Sequence, residues 1–317
     1  MASPEDEKTR RESSAKDGDM TLPLAGYTIG LIGLGLMGRP MSRNLAKAGA
    51  RLVVHSRSEG PVREMAAEGM TPAADPAGVI RSADVVILML PDTAEVERVV
   101  LGPAGLLAAM APGDLVIDMG TTAVLATRRL AERIEAAGGD FVDAPVSGGA
   151  VGAKDATLTI MAGGRTAAFA RARPILAALG RRVTHVGEVG CGQVAKAANQ
   201  VIVGLTINAV AEAFALARAA GADPARVREA LQGGFADSRI LELHGERMLT
   251  GQYAPGARVT TQIKDMRQAI ELAASVGLSL PAVALGRARF EELGAKGDGD
   301  LDHSALYRLY DQSGDPR

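Results

Sequence analysis

Between residues 27 and 144 the chain alternates short, β-branched apolar runs with helical segments, and this alternation constrains the fold more than any other feature. Tyr27 to Ile32, Arg51 to His55, Asp84 to Leu90, Leu115 to Asp118 and Phe141 to Ala144 read as strands. Leu36 to Ala48 and Pro61 to Glu68 read as helices between the first three. Apolar strands separated by helices bury both faces only in a parallel sheet covered on both sides. Thr157 to Ala162 and Arg182 to Val186 continue the strand content, and after Val189 the pattern becomes helical, rich in Ala and Leu. The expected fold class is α/β. Residues 23–188 form a doubly wound parallel sheet, and residues 189–317 form an all-α domain entered by a long interdomain helix. Residues 1–22 are polar and charged without an apolar run, so they read as a disordered tail and not as a secretory signal.

The first strand runs into Gly33-Leu34-Gly35-Leu36-Met37-Gly38, and a helix follows directly. Gly-x-Gly-x-x-Gly is a weak pattern alone, but between strand and helix it is the fingerprint of a Rossmann-type dinucleotide site. Gly33 allows the tight turn, Gly35 lets backbone approach a pyrophosphate, and Gly38 lets helix pack on strand. The phosphates then meet N–H groups at the helix N-terminus. The second strand ends in His55-Ser56-Arg57-Ser58, with no acid until Glu59. A carboxylate there would bond a ribose 2′-OH, whereas Arg57 can grip a 2′-phosphate bidentately and Ser56 can donate to it. NADP(H) is therefore the expected cofactor, with NAD(H) tolerated.

The helical half opens with Gly190-Cys191-Gly192-Gln193-Val194-Ala195-Lys196-Ala197-Ala198-Asn199. Lys196 and Asn199 share one helix face, and the following turns to Ala217 are mostly aliphatic. A lysine held on a packed face needs a partner or a task. The apolar stretch from Gln193 to Ala220 is long enough to span a bilayer, but Lys196, Asn199, Gln200, Asn208 and Glu212 interrupt it, so it reads as a buried spine. A net charge of −2, no tryptophan and 3% aromatic residues give no reason to expect nucleic acid or an anionic membrane as partner. The single cysteine, Cys191, fits a reducing cytoplasm. Four histidines scattered along the chain, with no His-x-x-x-His, predict no metal site. His303 reads as a helix-cap or surface residue. No Gly-x-Ser-x-Gly elbow suggests a hydrolase.

Four motifs in order resemble the β-hydroxyacid dehydrogenase family over about residues 27 to 310. They are the loop Gly33 to Gly38, the segment Asp143-Ala144-Pro145-Val146-Ser147-Gly148-Gly149, the run Gly190 to Asn199, and the pair Lys264-Asp265. The resemblance implies Lys196 as the catalytic proton donor, and Ser147, Gly148, Gly149 and Asn199 as substrate contacts. It implies cofactor contacts at Gly33, Leu34, Gly35, Leu36, Met37, Gly38, Ser56, Arg57, Leu90, Pro91, Thr121 and Lys264. The implied reaction is hydride transfer between a nicotinamide and a short aldehyde acid, in a homodimer or homotetramer. The segments Gly233 to Ser238, Leu243 to Met248 and Leu301 to Leu306 look most like the branch reducing tartronate semialdehyde. Glyoxylate or succinic semialdehyde reduction and 3-hydroxyisobutyrate oxidation are the alternatives. A nucleotide-binding regulatory module is the non-enzyme alternative, and Lys196 argues against it. The chain departs from the family at Gly120, where Ser-Thr is usual and Gly120-Thr121 stands here.

Overall fold

The computed structural model describes residues 22–310, so the expected tail lies outside the described residues apart from Leu22. Five βα units come first. They run β1 (Thr28–Ile32), α1 (Gly38–Lys47), β2 (Arg51–His55), α2 (Glu59–Ala67), β3 (Thr71–Pro72), α3 (Pro76–Arg81), β4 (Val85–Leu88), α4 (Thr93–Leu101), β5 (Leu115–Asp118), α5 (Val124–Ala136) and β6 (Asp140–Asp143). These six strands are parallel in the order β3-β2-β1-β4-β5-β6. Apolar side chains from both faces explain why the sheet stays covered. Leu31, Val54, Ile87 and Ile117 point into one cluster, and Ile32, Val53, Val86 and Val116 into another. The chain leaves β1 toward β2 on one side and later crosses to β4 on the other. The carboxyl ends of β1 and β4 therefore flank the crevice where open α/β sheets bind ligands.

The sheet is not wholly parallel. After β6 come β7 (Val146–Ser147), α6 (Gly149–Lys154), β8 (Leu158–Gly163), α7 (Thr166–Ala177) and β9 (Gly180–Gly187). β8 runs antiparallel to β6 and β7, while β9 is parallel to β8. The reason is local. Between β6 and β8 lie a two-residue strand and a six-residue helix, too little helix to carry the chain back across the sheet. The segment that carries Ser147 thus becomes a hairpin-like lip at the carboxyl ends of the parallel strands.

Among the described residues beyond β9 every regular element is helical: α8 (Cys191–Ala219), α9 (Pro224–Leu231), α10 (Arg239–Thr250), α11 (Val259–Ser275), α12 (Pro281–Leu293), the π-helical turn Gly294–Asp298 and a 3₁₀ stretch, His303–Leu309. Ile207, Ala211 and Phe214 of α8 join Leu241, Met266, Phe290 and Tyr307 in a third core. α8 is long and apolar enough to cross a membrane by length and composition alone. It carries buried Gln193, Lys196, Gln200 and Asn208, and packs on α10, α11, α12 and β8. The spine is nonetheless buried on one side only, because Ile202 is 66% and Leu216 71% exposed.

Candidate active site

The glycine loop has the geometry its spacing predicts. Gly33 has φ +106°, and a Cβ there would stand 2.3 Å from the Met89 carbonyl oxygen, so only glycine lets β1 turn beside β4. A Cβ at Gly38 would fall 1.8 Å from the Gly33 oxygen, which fixes how closely α1 approaches the strand. A Cβ at Gly35 would meet nothing within 4 Å. The space over Gly35 is open, which is what close approach of a pyrophosphate to the backbone needs. α1 also starts without a side-chain cap, leaving its first N–H groups for an anion. Leu34 is buried, Leu36 half exposed, and Met37 partly buried beside them. These residues fit a dinucleotide.

Arg57 stands at the carboxyl end of β2 and is 67% exposed along its side chain. Its Nη1 lies 2.9 Å from Glu95 of α4, whose other oxygen takes Arg98 at 2.8 Å. Ser56 beside it is partly exposed. The carboxyl ends of β4 and β5 supply the opposite wall. Lys264, from α11, donates to the Pro91 oxygen at 3.0 Å and to the Thr121 oxygen at 3.1 Å. The resemblance implied cofactor contacts at Pro91, Thr121 and Lys264, and the fold brings these three together, with Leu90 adjoining. Gly120 also finds its reason here. A Cβ would stand 2.8 Å from the Leu90 oxygen and 3.2 Å from Asp118 Oδ1, so a serine has no room without movement.

Lys196 occupies the second turn of α8 and is 8% exposed. Its Nζ donates to the Val146 carbonyl oxygen at 2.9 Å, next to Ser147 on the lip. Burial lowers its pKa; the negative charge of Asp265 works against this, and the positive charge of Lys264 adds to it. The result is an amine more acidic than a solvated lysine. Gly148 and Gly149 follow Ser147 with φ +131° and +59°, turning the chain into α6. A Cβ at Gly149 would lie 3.4 Å from the Gly256 oxygen of the helical half, so the lip closes against that half. Asn199 is partly exposed one turn beyond Lys196, and its amide donates to Gln200 Oε1 at 2.7 Å. Gln200 in turn donates to Asp265, which also pairs with Lys264 at 3.1 Å.

This constellation gathers a glycine-rich loop, a buried amine and a serine followed by two glycines at the carboxyl ends of the parallel strands. Comparison with known proteins shows the family. Residues 28–187 match the family described as the NAD binding domain of 6-phosphogluconate dehydrogenase. Residues 190–310 match the one described as NAD-binding of NADP-dependent 3-hydroxyisobutyrate dehydrogenase. Over 279 residues the chain is 45% identical to 2-hydroxy-3-oxopropionate reductase of Escherichia coli, covering 88% of this chain and 95% of that one. The chain belongs to the β-hydroxyacid dehydrogenase family. This β-hydroxyacid dehydrogenase is also 38% identical to the 3-hydroxyisobutyrate dehydrogenase of Pseudomonas aeruginosa, covering 89% and 98% of the two chains. Among solved structures, the 3-hydroxyisobutyrate dehydrogenase of Mycobacterium tuberculosis with L-serine superposes with TM-score 0.83 at 31% identity, over 90% and 99% of the chains. The chain is thus an NAD(P)-dependent hydroxyacid dehydrogenase.

One expectation needs correction. His303 is neither a cap nor a surface residue: it is 5% exposed, and Asp302 is the cap, accepting from Ser304 N. The histidines are not all scattered either. His303 Nε2 lies 3.3 Å from His244 Nε2, and with Asp302 these side chains form one cluster within 4.8 Å. Asp302 has no lone pairs to spare for a cation. Its oxygens take Gly256 N, Ala257 N, Ser304 N, Ser304 Oγ and the Arg247 guanidinium. The sequence could not place this cluster, because its members lie 59 residues apart on α10 and the 3₁₀ stretch. Sequence reading also passed over the buried carboxylates Asp118 and Asp143 and the amide of Gln193. A polar residue within an apolar strand or glycine-rich helix start was the available signal. A separate open depression around Thr28, Arg81, Asp84 and Asp114 contains none of the site residues.

Proposed function

We propose that the protein reduces a short aldehyde acid with NADPH, and that its substrate is tartronate semialdehyde (2-hydroxy-3-oxopropionate), giving D-glycerate. The observation that carries the reading is Lys196, a nearly buried amine bonded to Val146 O beside the Ser147-Gly148-Gly149 turn. The identity to the reductase of Escherichia coli supports the choice of substrate. The bound nicotinamide supplies the hydride. Ser147 and the N–H groups of its glycine turn hold the carboxylate, and Asn199 orients the hydroxyl or carbonyl. Lys196 gives its proton to the oxygen that becomes an alkoxide on reduction, and its charge stabilises that oxygen as it develops. Lys264 closes the cofactor side against Pro91 and Thr121.

Preference for NADPH rests on Arg57, the one cationic side chain at the tip of β2, with no carboxylate in the usual ribose-binding place. The exposed stripe of α8, with Val194, Ile202 and Leu216, supports a second copy of the chain as partner, and light scattering measures that state directly. The deciding experiment for function compares kcat/KM with NADPH across tartronate, glyoxylate, succinic and methylmalonate semialdehydes. The highest value is expected with tartronate semialdehyde. A tenfold or greater preference for another of the four would reassign the substrate while leaving the reaction class intact.

A further inference from the structure

Asp143 closes β6 with its side chain fully buried and points at the start of α8. Its Oδ1 accepts from Gly190 N at 2.7 Å and its Oδ2 from Gln193 N at 2.8 Å. Those are the N-cap and third N–H groups of α8; an N-cap side chain ordinarily accepts from the third, and the side chain of the third residue reaches back to the N-cap N–H. Gly190 has φ +89° and no side chain to offer, so a carboxylate from the sheet caps the helix in its place. The surroundings are shaped for this group. A Cβ at Gly163 would lie 2.7 Å from Asp143 Oδ1, and one at Gly192 would lie 2.8 Å from Oδ2. These two glycines let β8 and α8 close on the carboxylate. The negative charge also faces the positive end of a 29-residue helix.

The same short segment is tied to α8 a second time. Three residues after Asp143, Val146 offers its carbonyl oxygen to Lys196 Nζ. Gln193, one turn before Lys196, ties α8 to the loop after β5 as well: it donates to the Gly120 oxygen at 2.9 Å and accepts from Thr122 N at 3.2 Å. Lys196 and Ser147 therefore stand on two elements whose spacing depends on the carboxylate between them. We infer that Asp143 is a positioning residue for the reaction, capping the helix that carries Lys196 and so fixing the amine against the substrate turn. This rests on Lys196 being the proton donor.

The charge of the cap is titratable. Burial raises the Asp143 carboxyl to about 6, against its two N–H donors and helped by the neighbouring Asp118 charge. The charged groups near it are Asp118 on β5, Lys196 on α8, Glu188 before α8 and Arg128 of α5, whose Nε would lie 3.0 Å from a Cβ at Gly190. Lys264 acts on Asp118 from α11. Above about 6 the carboxylate accepts both N–H groups. Below it the protonated acid keeps one good acceptor and turns a donor toward the other N–H.

Asparagine at 143 has that same shape and donor pattern at every pH. Asp143→Asn should lower kcat for the aldehyde acid about 10- to 100-fold at pH 8, as a misplaced catalytic group does, with the NADPH dissociation constant unchanged. The ratio of wild-type to variant kcat should shrink toward one as pH falls through about 6, because the wild type then takes on the variant's hydrogen bonding. A variant as active as wild type at pH 8, or a ratio constant with pH, overturns the inference. If the variant does not fold, hydrogen exchange of the wild-type 190–195 segment, corrected for intrinsic rates, decides instead. Protection lost near pH 6 while the 207–217 segment stays protected supports the cap, and protection unchanged overturns it. Exchange needs no turnover. A cap that titrates in an enzyme whose Lys196→Ala variant stays active would refute the proton-donor reading and leave the clasp itself standing.

Discussion

Removing the amine of Lys196 tests the proposed chemistry most directly, and the structure sets the size of the effect. The amine has one hydrogen bond, to Val146 O at 2.9 Å, and almost no contact with solvent. Lys196→Ala leaves that carbonyl without its donor, a cost of roughly 1–3 kcal/mol, and removes a desolvated amine whose burial opposes it. The two effects act in opposite directions, so the variant should fold and bind NADPH. Loss of a positioned general acid lowers turnover by roughly 10²–10⁴. That is about 3–5 kcal/mol of transition-state stabilisation. The assay follows NADPH oxidation with tartronate semialdehyde, alongside NADPH binding by fluorescence titration. Because burial lowers the Lys196 pKa, the protonated donor is present below that value and lost above it. The reductive rate should therefore fall, and the oxidative rate rise, at a lower pH than an exposed lysine would give. Both limbs should vanish in the variant. Near-normal turnover, or a reductive rate still climbing into alkaline solution, would show that another group supplies the proton.

Arg57→Ala should raise the KM for NADPH at least tenfold and leave that for NADH nearly unchanged, since only the former carries a 2′-phosphate for the guanidinium. Equal changes for both cofactors would mean that Arg57 serves only its ion pair with Glu95. Ser147→Ala should weaken binding of the aldehyde acid by roughly 1.5–3 kcal/mol, the worth of a hydrogen bond to a charged group, and spare an uncharged aldehyde analogue. An equal loss for both would make Ser147 a shaping residue of the turn. Gly120→Ala should lower the melting temperature, because its Cβ would crowd the Leu90 oxygen at 2.8 Å, an overpacking cost of roughly 1–3 kcal/mol. An unchanged melting curve would show that the loop yields freely.

Local pattern was enough for the features that repeat or must be glycine. Apolar runs separated by helices pointed to a mainly parallel α/β sheet, since a strand such as Val85 to Leu88 is buried along its whole length when helices cover both faces. The loop from Gly33 to Gly38 announced its turn, because the positive φ at Gly33 and the tight contact at Gly38 exclude a side chain. Lys196 stood out as an amine on an apolar helix, and it is buried there. Tertiary structure alone decided the rest, because those features depend on residues far apart along the chain. β8 reverses against β6 since the segment between them holds too little helix to cross the sheet. His303 is buried because α10 brings His244 onto it, which no pattern around either residue encodes. Glu95 engages Arg57 because β2 and β4 both flank β1, so the segments after their carboxyl ends lie at the same end of the sheet. A buried carboxylate in a strand reads as an anomaly in one dimension. In three dimensions Asp143 becomes the cap of a helix whose N-cap residue lies 47 residues later, because capping follows distance in space and not separation along the chain.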